Sequence, residues 1–100
     1  MWENSREFLT FGSMVAKNRK VLKEQFDKVN TNKTQTIVNF EQAKVAMDDF
    51  LNLHFKGLSD EKIKCALRPS EIQSAAASNP GTSYDYMRFL DIYKNRYAGP

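Results

Sequence analysis

Apolar residues recur along this chain at spacings of three and four, in blocks separated by wholly polar or glycine- and proline-bearing stretches. Residues 3–16 carry Phe8, Leu9, Phe11, Met14 and Val15 with helical spacing, interrupted at Gly12-Ser13. That interruption either divides two helices or is tolerated within one. Residues 17–29 place Leu22, Phe26 and Val29 on one face and charged residues around the rest, which predicts an amphipathic helix. The stretch 30–36 is polar throughout and predicts a loop, followed by the β-branched pair Ile37-Val38. A second strong helix is predicted over 40–55, ended by Gly57, a position where glycine commonly closes a helix.

The second half repeats the scheme. Ser59, followed by Asp60 and Glu61, predicts the capped start of a short helix carrying Ile63, Ala66 and Leu67, and Pro69 stops it. Ser70-Glu71-Ile72-Gln73 has the form of a capping box and predicts a further helix through Ala77. A loop is predicted over 79–83, and then a last helix from Tyr86 to about Tyr97 with Phe89, Leu90 and Tyr93 as its stripe. No stretch sustains a period of two. The predicted fold is all-α, with at most a small pairing of extended residues between loops.

Composition narrows the picture. One hundred residues with 41% hydrophobic content fit one core. The net charge of +3 is spread among interleaved acids and bases, which argues against a nucleic-acid partner. The short cluster Lys17, Arg19, Lys20 and Lys23 reads as a solvated helix face. A lone cysteine, Cys65, excludes an internal disulfide, and the chain is expected to be soluble and cytoplasmic. His54 has no second histidine or cysteine at ligand spacing, Asp48 and Asp49 point in different directions on a helix, and no phosphate loop or nucleophile–base set appears. No enzyme is expected.

The informative segment is Phe26–Glu41. With Asn30 as the first position of a twelve-residue loop, Asn32, Thr34, Thr36 and Glu41 fall at the third, fifth, seventh and twelfth. Ile37 falls at the eighth, and Phe26 and Val29 precede on the entering helix. This arrangement resembles the EF-hand calcium-binding family, in which alternate loop positions supply oxygens to a hard divalent cation and glycine at the sixth permits a sharp turn. The resemblance implies a pair of helix-loop-helix units over 17–100, with residues 1–16 as an N-terminal helical extension and an extra short helix between the units. It implies a metal site of Asn30, Asn32, Thr34, Thr36 and Glu41 that is weak or vestigial. Glu41 is its only carboxylate, Val38 at the ninth position offers no side-chain oxygen, and Gln35 stands at the glycine position, where positive φ would cost on the order of 1 kcal/mol.

A second unit is implied around Tyr84, which would pair with Ile37 between the loops. Its register puts Ala77 first and Arg88 last, and a guanidinium offers a cation no acceptor. The two loop starts also lie further apart than family pairs do, by about the length of the short helix at 59–68.

The resemblance implies a protein-interaction or adaptor module that binds an amphipathic helical partner without calcium, with no resident cofactor. The alternative is a weak calcium-binding protein using the first loop. Met14, Met47, Phe50, Phe55, Met87, Phe89 and Tyr93 are the candidate groove, although a domain this small needs most of its large apolar side chains for its core. The N-terminal segment with Trp2, Phe8, Leu9 and Phe11 could fill that groove in cis, close the bundle or dimerise it. A basic, aromatic N-terminal helix lying on a membrane surface is a third, minor option. Changing Gln35→Gly with Asn30→Asp is expected to raise calcium affinity if the register is right.

Overall fold

The computed structural model describes residues 2–72 and 83–97, with the side chains of Glu3 and of residues 95–97 left aside. It is mostly helical with a small three-stranded sheet. A 3-10 turn, Trp2–Asn4, leads into α1 (Arg6–Lys17) and α2 (Arg19–Val29); β1 (Ile37–Asn39) leads into α3 (Phe40–His54). Then come α4 (Asp60–Leu67), a 3-10 turn at Arg68–Ser70, β2 (Glu71–Ile72), β3 (Ser83–Asp85) and α5 (Tyr86–Tyr97).

Local chemistry explains the helix boundaries. Ser5 caps α1 by accepting from the Phe8 amide, and Ser59 caps α4 by accepting from Lys62. Asn39 and Gln42 form a reciprocal capping box at α3. Asp85 accepts from the Met87 amide at 3.1 Å, tying the first turn of α5. Gly57 takes φ +81° in the turn after α3, a conformation that favours glycine. The Gly12-Ser13 interruption does not break α1: Gly12 is buried within it, and the chain turns instead at Asn18.

The core brings Phe8, Phe11 and Val15 of α1 together with Leu22 and Phe26 of α2, Met47 and Phe50 of α3, Ile63 and Leu67 of α4, and Phe89, Leu90 and Tyr93 of α5. The segment expected as an extension is therefore part of the same core. Phe11 is fully buried against Phe50, Phe55 and Tyr93, with ring centroids 5.4–6.0 Å apart. Such ring pairs add to plain burial. Trp2 packs edge-on to Phe8 at 4.9 Å and donates its indole N–H to Glu7. Phe8 and Phe11 are buried, and Trp2 is partly buried against the same core. Among the described residues, no helix is long and apolar enough to cross a membrane.

Two expectations need correction here. The segment starting at Ser70 does not open a helix: Glu71 and Ile72 form β2, antiparallel to β3. The Ser70 hydroxyl donates back to the Leu67 carbonyl and closes the preceding 3-10 turn. The helix expected from Gln73 through Ala77, the loop at 79–83 up to Thr82 and the first position of the second unit, Ala77, lie outside the described residues. The expected pairing of Ile37 with Tyr84 is off by one: Val38 stands opposite Tyr84 and Ile37 opposite Asp85. Val38 and Tyr84 are both buried, and directly opposed residues share one face of a sheet. A slip by one residue would turn one of them out of the core.

Candidate functional site

The loop between α2 and β1 is where sequence places a cation site, and its polar groups are already engaged with one another. Asn30 is buried at the C-terminal end of α2. Its side-chain amide donates to the Gln35 carbonyl at 2.6 Å and to the Tyr86 hydroxyl at 3.2 Å, while its oxygen accepts from the Asn32 amide at 3.0 Å. Tyr86 in turn donates to Asp27 at 2.6 Å. A connected path thus runs from the loop through α5 to the last turn of α2.

The remaining expected ligands follow the same rule. The Asn32 oxygen accepts from both the backbone N–H and the hydroxyl of Thr34. The Thr36 carbonyl, the group that the seventh loop position would offer a cation, accepts from the Tyr86 amide at 3.0 Å, and the Thr36 hydroxyl donates to Asp85 at 2.8 Å. Glu41 is exposed in the first turn of α3 and lines a cleft beside that helix. Gln42 turns back instead, accepting from the Asn39 amide and donating to the Val29 carbonyl at the end of α2. Lys33 donates its ammonium to the Asp27 carbonyl, which brings a positive charge to the mouth of the loop.

Gln35 also departs from expectation. Among the described non-glycine residues none has positive φ, so Gln35 does not occupy the strained conformation that a glycine would serve. The turn is made by an Asn32-to-Gln35 backbone hydrogen bond and the two asparagine side chains. Among the described residues, no group of three or more His, Cys, Asp or Glu side chains is placed to hold a metal ion.

Electrostatics match this geometry. The Tyr86 hydrogen bond, with help from Lys23, holds the Asp27 carboxyl below the usual carboxylate range. Burial pushes the Tyr86 phenol up, and the hydrogen bond to Asp27 pushes it further. Both shifts favour one charge state: an ionised Asp27 accepting from a neutral Tyr86.

The candidate groove residues do meet, but inside the core. Met47, Phe50, Phe89 and Tyr93 are buried, and Met14, Phe55 and Met87 are partly buried against them. Phe8 and Phe11 of α1 pack against Phe50 and Tyr93, which places these side chains in the core. The Tyr93 hydroxyl reaches the Ala66 carbonyl of α4. His54 is exposed at the end of α3 and lies edge-on to Phe50. Cys65 is half-buried on α4.

The open surface lies along α3. A cleft of about 630 Å³ between α3 and α4 is lined by half-buried Leu51, Phe55 and Leu58 and by exposed Glu41, Asp48 and Asp49. Lys44 crosses it to Asp60 at 3.1 Å, and that hydrogen bond raises the lysine's proton affinity. On the other side of α3 a smaller pocket of about 140 Å³ is bordered by Val21, Phe50 and Leu53. Val21, Val45 and Leu53 are 55%, 64% and 76% exposed, and all three flank these two depressions. Sequence reading passed over them; the signal was there in apolar residues off the core-facing stripe of an otherwise regular helix.

Comparison of the chain with protein-family models, with curated proteins and with solved structures finds no match.

Proposed function

We propose that the chain is a non-enzymatic interaction module of EF-hand type that receives a protein segment without calcium. The observation that carries this reading is that the oxygens expected to face a cation already accept from protein groups: Asn30 from the Asn32 amide, Asn32 from Thr34, and the Thr36 carbonyl from the Tyr86 amide. A loop tied in this way serves as a fixed clasp between α2, α3 and α5. It has no unfilled coordination shell through which calcium would switch the helices.

The pairing register supports the same reading. Counting the family's loop positions from Val38, the residue opposite Tyr84, moves the ligand set to Thr31, Lys33, Gln35, Ile37, Asn39 and Gln42. That set has no carboxylate and includes an ammonium, and calcium affinity falls as ligand charge falls. Helix α1 supports a second part of the reading. With Phe8 and Phe11 filling the inner apolar space, the partner is received elsewhere on the surface or not at all in this state.

Isothermal titration of the full chain with calcium, and separately with magnesium, tests the proposal. No saturable heat and an unchanged amide spectrum over Asn30–Glu41 are expected. Saturable calcium binding with shifts confined to that loop would overturn it in favour of a weak calcium-binding protein.

A further inference from the structure

Four of the chain's twelve acidic residues, Glu41, Asp48, Asp49 and Asp60, line the α3–α4 cleft together with the exposed Val45. The molecule carries +3 overall, yet Glu41, Asp48 and Asp49 border one cleft, and among the described residues none of the three makes an ion pair. Lys44 and Asp60 neutralise one another across it, which leaves the cleft at about −3. Its half-buried lining includes the apolar Leu51, Phe55 and Leu58, and the exposed Val45 also lines it. From Glu41 to Phe55 the cleft follows α3 for roughly 20 Å at 1.5 Å per residue.

We infer that the α3–α4 cleft is a docking surface for a cationic protein segment that carries an aliphatic anchor between lysines or arginines. The anchor meets Leu51, Phe55 and Leu58, and the flanking cations meet Glu41, Asp48 and Asp49. Charge complementarity selects this occupant: an acidic cleft with apolar lining residues repels nucleic acid, anionic membrane and acidic peptides, and favours a cation on both encounter and register. The inference rests on the interaction-module reading and gives it a surface and a partner chemistry. That surface is separate from the inner space filled by α1.

The test uses the full chain and a fluorescein-labelled helical peptide of Lys and Leu, with Leu at spacings of three and four and about 14 residues long to match the cleft, with a Glu/Leu peptide of the same pattern as control. Fluorescence anisotropy is read in EDTA and in calcium, and amide shifts map the contact. Saturable binding of the Lys/Leu peptide is expected, weakened several-fold between low and high salt, with shifts along α3 and α4. The exposed pair Asp48→Lys with Asp49→Lys should weaken it on the order of tenfold or more without altering the circular dichroism spectrum. Equal binding of the Glu/Leu peptide, an unaffected charge-reversal variant, shifts on other faces, or no saturable binding would overturn the inference. So would self-association of the free chain through this cleft in sedimentation. Binding at the cleft only in calcium would support the surface while overturning the calcium-independent reading beneath it.

Discussion

Tyr86, the first residue of α5, donates its hydroxyl to Asp27 in the last turns of α2 at 2.6 Å, across 59 positions of sequence. The same oxygen accepts from the buried Asn30 amide. The ring itself stacks on Phe26 at 5.0 Å with the planes 4° apart. One side chain thereby joins the apolar core to the polar loop. Replacing Tyr86→Phe keeps the stacking and removes only the hydroxyl. We expect a loss of about 1–2 kcal/mol, read from urea unfolding, because Asn30 keeps one acceptor at Gln35 and Asp27 keeps Lys23 while losing the Tyr86 donor.

The same pair sets a pH dependence. The folded-state carboxyl of Asp27 lies below its unfolded value, so its contribution is present above about pH 4 and is lost as pH falls through the folded value. The folded-state Tyr86 phenol lies above its unfolded value, so its contribution is present below about pH 10 and is lost as pH rises through the folded value. Urea midpoints measured from pH 2.5 upward should fall on both limbs, and Tyr86→Phe should flatten both relative to the parent chain.

Helix α1 should behave as core. Phe11 is fully buried and meets three other rings. Phe11→Ala should cost about 3–5 kcal/mol and broaden the thermal transition, whereas the exposed Leu9→Ala should stay within about 0.5 kcal/mol. Deleting residues 2–17 should abolish cooperative unfolding and leave no stable open groove.

Asn30→Asp with Gln35→Gly, the change that sequence reading expects to restore a calcium site, meets a different environment in the folded chain. A carboxylate at position 30 would replace an N–H donor 2.6 Å from the Gln35 carbonyl with a second acceptor. Gln35 already has negative φ, so glycine relieves no strain there. We expect a loss of about 1–3 kcal/mol in chelator and no tight calcium binding on titration. Micromolar affinity in this variant would show that the loop retains the register counted from Asn30.

Much of the helical frame was legible in the sequence because its signals are local. Ser59 caps α4, Pro69 follows its end and Gly57 takes the positive-φ turn, each by the chemistry of one or two residues. The polar stretch after Val29 is a loop for the same reason. Strand features were harder. That Val38, and not Ile37, opposes Tyr84 depends on which face is buried once two distant segments meet. That Glu71 and Ile72 are extended depends on β3 offering them an edge. Gly12 suggested a break, yet burial within a packed α1 outweighs glycine's weak helix propensity. The loop's asparagines were visible as polar residues at alternate positions. Their actual partner, Tyr86, was not, since nothing near position 30 announces a phenol from the far end of the chain.

Trp2 is the chain's single tryptophan, and it rests on Phe8 and Phe11 at the outer end of α1, with Lys62 of α4 lying 5.8 Å over its ring. Nature has thus left an optical probe at the seam where the first helix meets the rest. Its emission colour and quenching by iodide report whether that helix is seated, in the unlabelled protein and in real time. A ligand that pried α1 loose would announce itself as a red shift before any other spectroscopic change, while one settling against α3 would leave the indole's light as it was.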